Sequence, residues 1–269
     1  MKLLPNLLIT SLLTFLSFET AAQQATTPAS ANSTQATALL SQSAAALTGG
    51  VAVTDVTLSG TARRIAGSDD ESGTAVLKAL ATGESRIDLT LPSGLRREVR
   101  ALSNNCQVGI WTGPNGVAHP ISNHNLMTDS SWFFPALTLA RLLGSQSYVF
   151  SYVGAEARNG QPVQHLQIWQ ASTFQMPAHM PTPEHLSQMD LFLDSTTLLP
   201  AALTFNTHPD GDMGLDIPIE VRFSEYRIVN GAQVSFHVQK FLNKSLVLDL
   251  QFQTTALNTG LTSAAFGIH

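Results

Sequence analysis

Alternation constrains this chain more than any other feature of its sequence. Ile217, Ile219, Val221 and Phe223 recur at every second position, Asn230-Gly231 turns the chain into Val234, Phe236 and Val238, and Asn243-Lys244 turns it again into Leu246, Leu248, Leu250 and Phe252. A period of two is what a strand with one buried face imposes, and Asn-Gly is the strongest short hairpin signal. Met189 to Phe205 reads the same way. Met189, Leu191 and Leu193 point one way and Asp190, Phe192 and Asp194 the other, while Asp194, Ser195, Thr196 and Thr197 offer acceptors to the backbone at a corner and Pro200 fixes φ on the return. Asn159-Gly160 separates Tyr148, Phe150 and Tyr152 from a return strand carrying Val163, His165, Gln167 and Trp169 on one face. About twelve such segments make one sequential meander, with no repeat period of 20 to 50 residues.

Two stretches break the pattern. Ser33 or Thr34 caps a helix in which Ala36, Leu40, Ala44 and Leu47 recur at helical spacing until Gly49-Gly50. A second helix is expected from Ser130 or Ser131, with Pro135 in its first turn and Gly144 as its stop. Trp132, Phe133, Phe134, Leu137, Leu139, Ala140, Leu142 and Leu143 go nearly all round it, so it must be covered on most sides or line a cavity. Met176 to Glu184, with three prolines, reads as a loop. The sequence therefore predicts a mainly β fold with two or more helices, in which a single curved antiparallel sheet covers its apolar face with those helices.

Residues 1–22 resemble a secretory signal, with Lys2 as the charged start, Leu3 to Phe18 as the apolar run and Thr20-Ala21-Ala22 as a small-residue cleavage site. An apolar run of about 16 residues is short for a membrane span, which needs about 20. The expected product is periplasmic or secreted, without an integral membrane segment after cleavage. Residues 23–32 read as a disordered tether of Gln, Ala, Thr, Ser and Pro, and 33–269 as one domain. The chain carries a net charge of −5, and losing Lys2 and Glu19 with the leader leaves it there. Such a chain has no electrostatic footprint for nucleic acid. Cys106, the one cysteine, can form no internal disulfide and reads as a small buried hydrophobe.

Polar chemistry is sparse. Arg86, Arg96 and Arg100 with Asp88 and Glu98 are expected on a solvated face as cross-strand pairs, with a basic recognition patch as the alternative. His119 and His124, and His179 and His185, are too irregularly spaced for two imidazoles on one face, and His165 and His237 fit half-buried strand positions. Asp210, Asp212 and Asp216 lack the glycine and glutamate of a calcium loop, and Asp69, Asp70 and Glu71 read as a solvated turn. There is no Gly-x-Ser-x-Gly, no His-Glu-x-x-His and no phosphate-cradling glycine loop. No catalytic residue, metal ligand or cofactor is expected.

Asp190-Leu-Phe-Leu-Asp194 followed by Thr197, Leu199 and Pro200 resembles the Leu-Asp-x-x-Thr-x-Leu-Pro turn of the exported LolA, LolB and RseB-type proteins, and the hairpin Tyr226-x-x-Val-Asn-Gly231 is similar too. The resemblance implies a half-open barrel of about eleven strands closed by helices. It implies an apolar cavity for acyl chains or the lipidated end of another protein, without cofactor and without catalysis. Trp132, Phe133, Phe134 and Leu137, with Tyr148, Phe150, Tyr152 and Trp169, are the expected lining. The alternative is a structural or sensing module with a self-filled core that acts through contact with another envelope protein.

Overall fold

Strands form where the alternation runs, and the computed structural model describes residues 28–268 apart from 105, 173–176 and 178–179. The expected leader lies outside the described residues. Helix α1 (Pro28–Thr48) is followed by β1 (Asp55–Ala66), β2 (Asp69–Leu80), β3 (Ser85–Leu91), β4 (Gly94–Ser103), β5 (Cys106–Thr112) and the short β6 (Ala118–Pro120). The chain then leaves the sheet through a 3-10 turn (Asn123–Met127) and helix α2 (Pro135–Gly144), and returns as β7 (Tyr148–Arg158) and β8 (Gln161–Gln170). After helix α3 (Pro183–Ser187) come β9 (Met189–Asp194), β10 (Pro200–Thr207), β11 (Ile217–Val229), β12 (Ala232–Leu242) and β13 (Ser245–Leu257).

The thirteen strands form one curved antiparallel sheet in the order β6-β5-β4-β3-β2-β1-β13-β12-β11-β10-β9-β8-β7. Its two ends, β6 and β7, do not pair with each other, so the barrel is half open. The first strand of the meander lies beside the last, β1 against β13, and a bulge at Ser59/Gly60 bends that seam. A side chain on Gly60 has no room there, because its Cβ would fall 2.1 Å from the Gln251 carbonyl oxygen.

One face of the sheet carries the main core. Leu58, Leu77, Leu166, Leu191, Val221, Val238, Leu250 and Phe252 meet Leu40 and Leu47 of α1 and Leu137, Leu139 and Leu142 of α2. Each such side chain contributes about 1.5–3 kcal/mol by leaving water. Helix α1 presents Ala36, Leu40, Ser43 and Leu47 along one buried stripe and packs on β7, β12 and α2. The outer face has two small clusters, Leu80, Val99 and Phe266 near the C-terminus and Val163, Phe192 and Ala202 on β8 to β10.

The corner between β9 and β10 forms as its residues direct. The Asp194 carboxylate accepts from the Thr197 and Thr196 amides at 2.7 and 3.0 Å and from the Thr197 hydroxyl at 2.9 Å. Those backbone and side-chain donors, the Thr197 amide first, hold its carboxyl below the usual range. Tyr226 donates from its hydroxyl to the Pro200 carbonyl at 2.8 Å, so the two stretches that carry the family resemblance touch each other.

Several elements differ from expectation for local reasons. The sheet has thirteen strands where the resemblance implied about eleven, and α1 starts at Pro28, ahead of the expected Ser33 or Thr34 cap and inside the expected tether. Helix α2 starts only at Pro135. Phe134 precedes a proline and is held at φ −136°, ψ 86°, outside the helical region, so Trp132 and Phe133 occupy a turn ahead of the helix. The expected loop ends in α3, which Pro183 opens and the Thr182 hydroxyl caps. Asp69, Asp70 and Glu71 belong to β2 rather than to a turn, and Cys106 is exposed at the head of β5. The arginine cluster divides. Arg86 and Asp88 lie on the outer face with Arg97, whereas Arg96, Glu98 and Arg100 turn to the concave face, opposite Leu89, Ile87 and Ser85.

Asp55 fastens the C-terminal segment to β1, its carboxylate accepting from the Thr259 amide and hydroxyl at 2.8 Å each and from the Gly260 amide at 3.0 Å. Burial alone would raise its pKa, but these bonds and one from Thr54 bring it below the usual value. A carboxyl that titrates lower when folded stabilises fully above its unfolded pKa of about 3.9 and loses that contribution as pH falls through the folded value. Asp55→Ala is expected to lower stability by about 1–3 kcal/mol through orphaned donors and to flatten the acid limb below about pH 4. Urea unfolding at pH 7 and pH 3 checks both.

Candidate functional site

Helices α1 and α2 cover only part of the concave face. Over β1, β3, β11, β12 and β13 it stays open as a cleft of about 940 Å³ lined by Arg64, Leu89, Ile219, Lys240, Leu246 and Leu248 among others. Two adjoining recesses, of about 230 and 210 Å³, share Lys240 with it and extend beneath Trp111 and Trp132 towards Glu98 and Arg100.

Strand register explains the composition of the cleft. Arg64 on β1 and Lys240 on β12 both stand opposite Leu248 on β13, one from each side, so the three side chains rise at one level on one face. Lys240 continues the apolar series Val234, Phe236 and Val238 and has Val221 as its other neighbour. On β4, Arg96 faces Leu89 and Glu98 faces Ile87 and Trp111. A cation has thus been set into an apolar row. The Lys240 ammonium lies over the Trp132 ring, 4.6 Å from its centroid. Burial pushes the Lys240 pKa down, Glu98 opposes the shift and Arg100 adds to it. Burial acts to raise the pKa of Glu98, but Arg100 and Lys240 outweigh it and bring the carboxyl below the usual range.

A strap closes one side. Arg100 donates from Nε to Glu98 at 3.0 Å and from Nη1 to the carbonyls of Thr128 and Asn125 at 3.3 and 3.4 Å. From the far end of the sheet, the His208 amide and the Thr207 hydroxyl donate to Asn125 Oδ1 at 2.9 and 3.0 Å, while Asn125 Nδ2 donates to the His208 carbonyl at 2.8 Å. Ser122 donates to Asp210. The turn Asn123–Met127 therefore bridges β4 to the end of β10 across the open mouth.

The histidines take other places. His165 and His237 lie on the outer face and share hydrogen bonds with Asp190 and Asp249 at 2.9 and 2.8 Å, and His119 stacks on Trp111 with 4.3 Å between centroids. His124 and His208 meet edge-on under the strap at 5.9 Å. Burial lowers the pKa of His208, with Asp216 opposing the shift. Among the described residues no group of three or more His, Cys, Asp or Glu side chains could hold a metal ion.

Of the lining expected from the sequence, Trp132 borders the cleft. Phe133, Phe134 and Leu137 are buried in the core beside it, and Tyr148, Phe150 and Tyr152 pack against the same core from β7. Trp169 lies opposite Val149 with Gln167 and His165, on the outer face. Sequence reasoning missed the charged members Arg64 and Lys240, and it offered Arg96, Glu98 and Arg100 only as the alternative to a solvated face. The signal for Lys240 was its phase with Val234, Phe236 and Val238.

A half-buried ammonium whose pKa is lowered on folding subtracts from stability wherever it is charged, and the loss is recovered as pH rises from the folded pKa towards the unfolded value of about 10.4. Lys240→Met is therefore expected to raise Tm by a few degrees at pH 7, the behaviour of a residue kept for binding rather than for folding. A thermal melt in which the variant loses stability at pH 7 would show that the charge serves the fold.

No known family profile and no curated protein matches the sequence. Solved structures do resemble this one. A LolA superfamily protein from Nitrosomonas europaea shares 11% identity and a TM-score of 0.54 over 87% of this chain and 97% of that one. A domain named for outer membrane lipoprotein sorting, from Vibrio parahaemolyticus, shares 13% identity and a TM-score of 0.55 over 87% and 97%. A DUF1329 family protein from Desulfovibrio piger shares 12% and 0.56 over 88% and 97%. At such identities the likeness is one of fold, and the chain has the fold of the LolA superfamily.

Proposed function

We propose that this is an exported, non-catalytic binding protein that holds a hydrophobic ligand, an acyl chain or lipid-like molecule or the lipidated end of another protein, in the concavity between sheet and helices. One observation carries the reading: the apolar concave face keeps an uncovered cleft of about 940 Å³ beside Trp132, at the upper end of the roughly 300–1,000 Å³ typical of small-molecule sites. Its floor of Leu89, Ile219, Leu246 and Leu248 suits an acyl chain better than a polar metabolite. The name of the Vibrio domain, lipoprotein sorting, is in keeping with this role. Export rests on the leader-like residues 1–22, and a periplasmic or secreted location follows from it. Among the described residues no helix is long and apolar enough to cross a membrane.

A second reading has its own support. Phe133, Phe134, Leu137 and Leu142 fill the space beneath the helices, as in a structural or sensing module that works through a protein partner. Lipid extraction of protein purified from its native envelope, followed by mass spectrometry, separates the two, as does titration with a fluorescent fatty acid. The binding reading expects co-purified acyl species and saturable probe uptake. Leu246→Trp, which fills the recess from a half-exposed position, is expected to weaken the probe about tenfold or more with an unchanged fold by circular dichroism. Protein that carries no lipid and takes up no probe belongs to the second reading.

A further inference from the structure

We infer that the cleft is shaped for a single acyl chain ending in a monoanionic head, a long-chain fatty carboxylate, held between Arg64 and Lys240 with its chain along the leucine floor. This rests on the apolar-ligand reading above and adds the head group to it. Arg64 and Lys240 flank Leu248 from the strands on either side, and all three border the largest recess of the cleft. With strands about 4.8 Å apart, the two cations spring from backbones roughly 10 Å apart. Both side chains are long enough to converge on a carboxylate placed between them.

The protein itself does not satisfy this pair. Arg64 Nη1 is buried without a hydrogen-bond partner, and so is Nε of the neighbouring Arg96. The Lys240 ammonium rests on an aromatic face. The carboxylates within reach are already engaged: Glu98 with Arg100, Glu71 with the Ser93 amide and hydroxyl at 2.8 and 2.9 Å, and Asp210 with Ser122. Buried cationic donors of this kind raise the free energy of the empty cleft, and an anion that accepts from them relieves it.

The balance of charge selects the class of anion. Arg64, Arg96, Arg100 and Lys240 face the cleft against Glu71, Glu98 and Asp210, which leaves one positive charge. Arg97 reaches the rim but is paired with Asp88 on the outer face at 2.5 Å. One carboxylate neutralises the site. A dianionic phosphate monoester would overshoot and meet Glu98.

Displacement of Nile red, a neutral polarity-sensitive dye, from the purified protein tests the inference with palmitate, hexadecanol and hexadecyltrimethylammonium as competitors of equal chain length. Palmitate is expected to compete at least tenfold better than hexadecanol, and the ammonium compound worse than either. The double variant Arg64→Met with Lys240→Met is expected to reduce palmitate competition tenfold or more and leave hexadecanol unchanged, while Arg64→Lys alone keeps most of the preference. Equal competition by palmitate and hexadecanol, or an unaffected double variant, overturns the head-group assignment while the apolar site stands. If neither the dye nor any amphiphile binds wild-type protein, the apolar site itself falls. Phosphatidylglycerol vesicles that displace the dye better than palmitate would replace the single chain with a two-chain anionic lipid.

Discussion

An apolar sheet face must be covered, and the rest of this structure follows from how incompletely that is done here. Thirteen strands present one continuous greasy surface, and the helices available to shield it are α1, the ten-residue α2 and the five-residue α3. Where α1 and α2 lie, the core is filled by Leu40, Leu137, Leu139 and the aromatic pair Phe133 and Phe134. Where they end, the same face runs on without a lid, and the chain places guanidinium and ammonium groups among the leucines. Those charges do for the exposed part of the surface what helices do elsewhere, because they draw water and discourage association through an apolar patch. They also give the surface a chemical preference that a purely aliphatic groove would lack.

Much of the architecture could be read from the residues, and the failures share a cause. The hairpins at Asn159-Gly160, Asn230-Gly231 and Asn243-Lys244 and the Asp194 corner formed where the turn chemistry placed them, since each is decided by neighbours in sequence. Strand β4 misled because its apolar alternation, Leu95 and Val99, points away from the main core. Val99 is buried instead beneath Phe266, more than 160 residues further along the chain, in a small outer cluster that no local pattern reveals. With Val99 buried on the outer side, alternation turns Arg96, Glu98 and Arg100 inward, and the cleft acquires its charges. The helical pattern extends over Trp132, Phe133 and Phe134, but Pro135 delays the helix and leaves Trp132 in the turn before it, at the edge of the cleft.

The charges of the cleft form an incompletely paired cluster rather than a closed ion pair. Glu98 is shared between Arg100, which it bonds directly, and Lys240, which it only attracts. A single carboxylate bonded to Arg100, which itself holds the strap, does not also satisfy the half-buried Lys240. The lysine is therefore left with an aromatic ring for company, an arrangement that favours charge without saturating it.

The strap gives the half-barrel a mechanical property of its own. In a closed barrel the circumference is fixed by a last backbone ladder, and the lumen can widen only if strands slip or part. Here the chord between β4 and the end of β10 is drawn by the side chains of Arg100, Asn125 and Ser122. Side-chain hydrogen bonds of this kind can lengthen or exchange with water one at a time. The span of the mouth is thus set by bonds that can change in small steps while every strand keeps its register, a freedom that a closed ladder does not have.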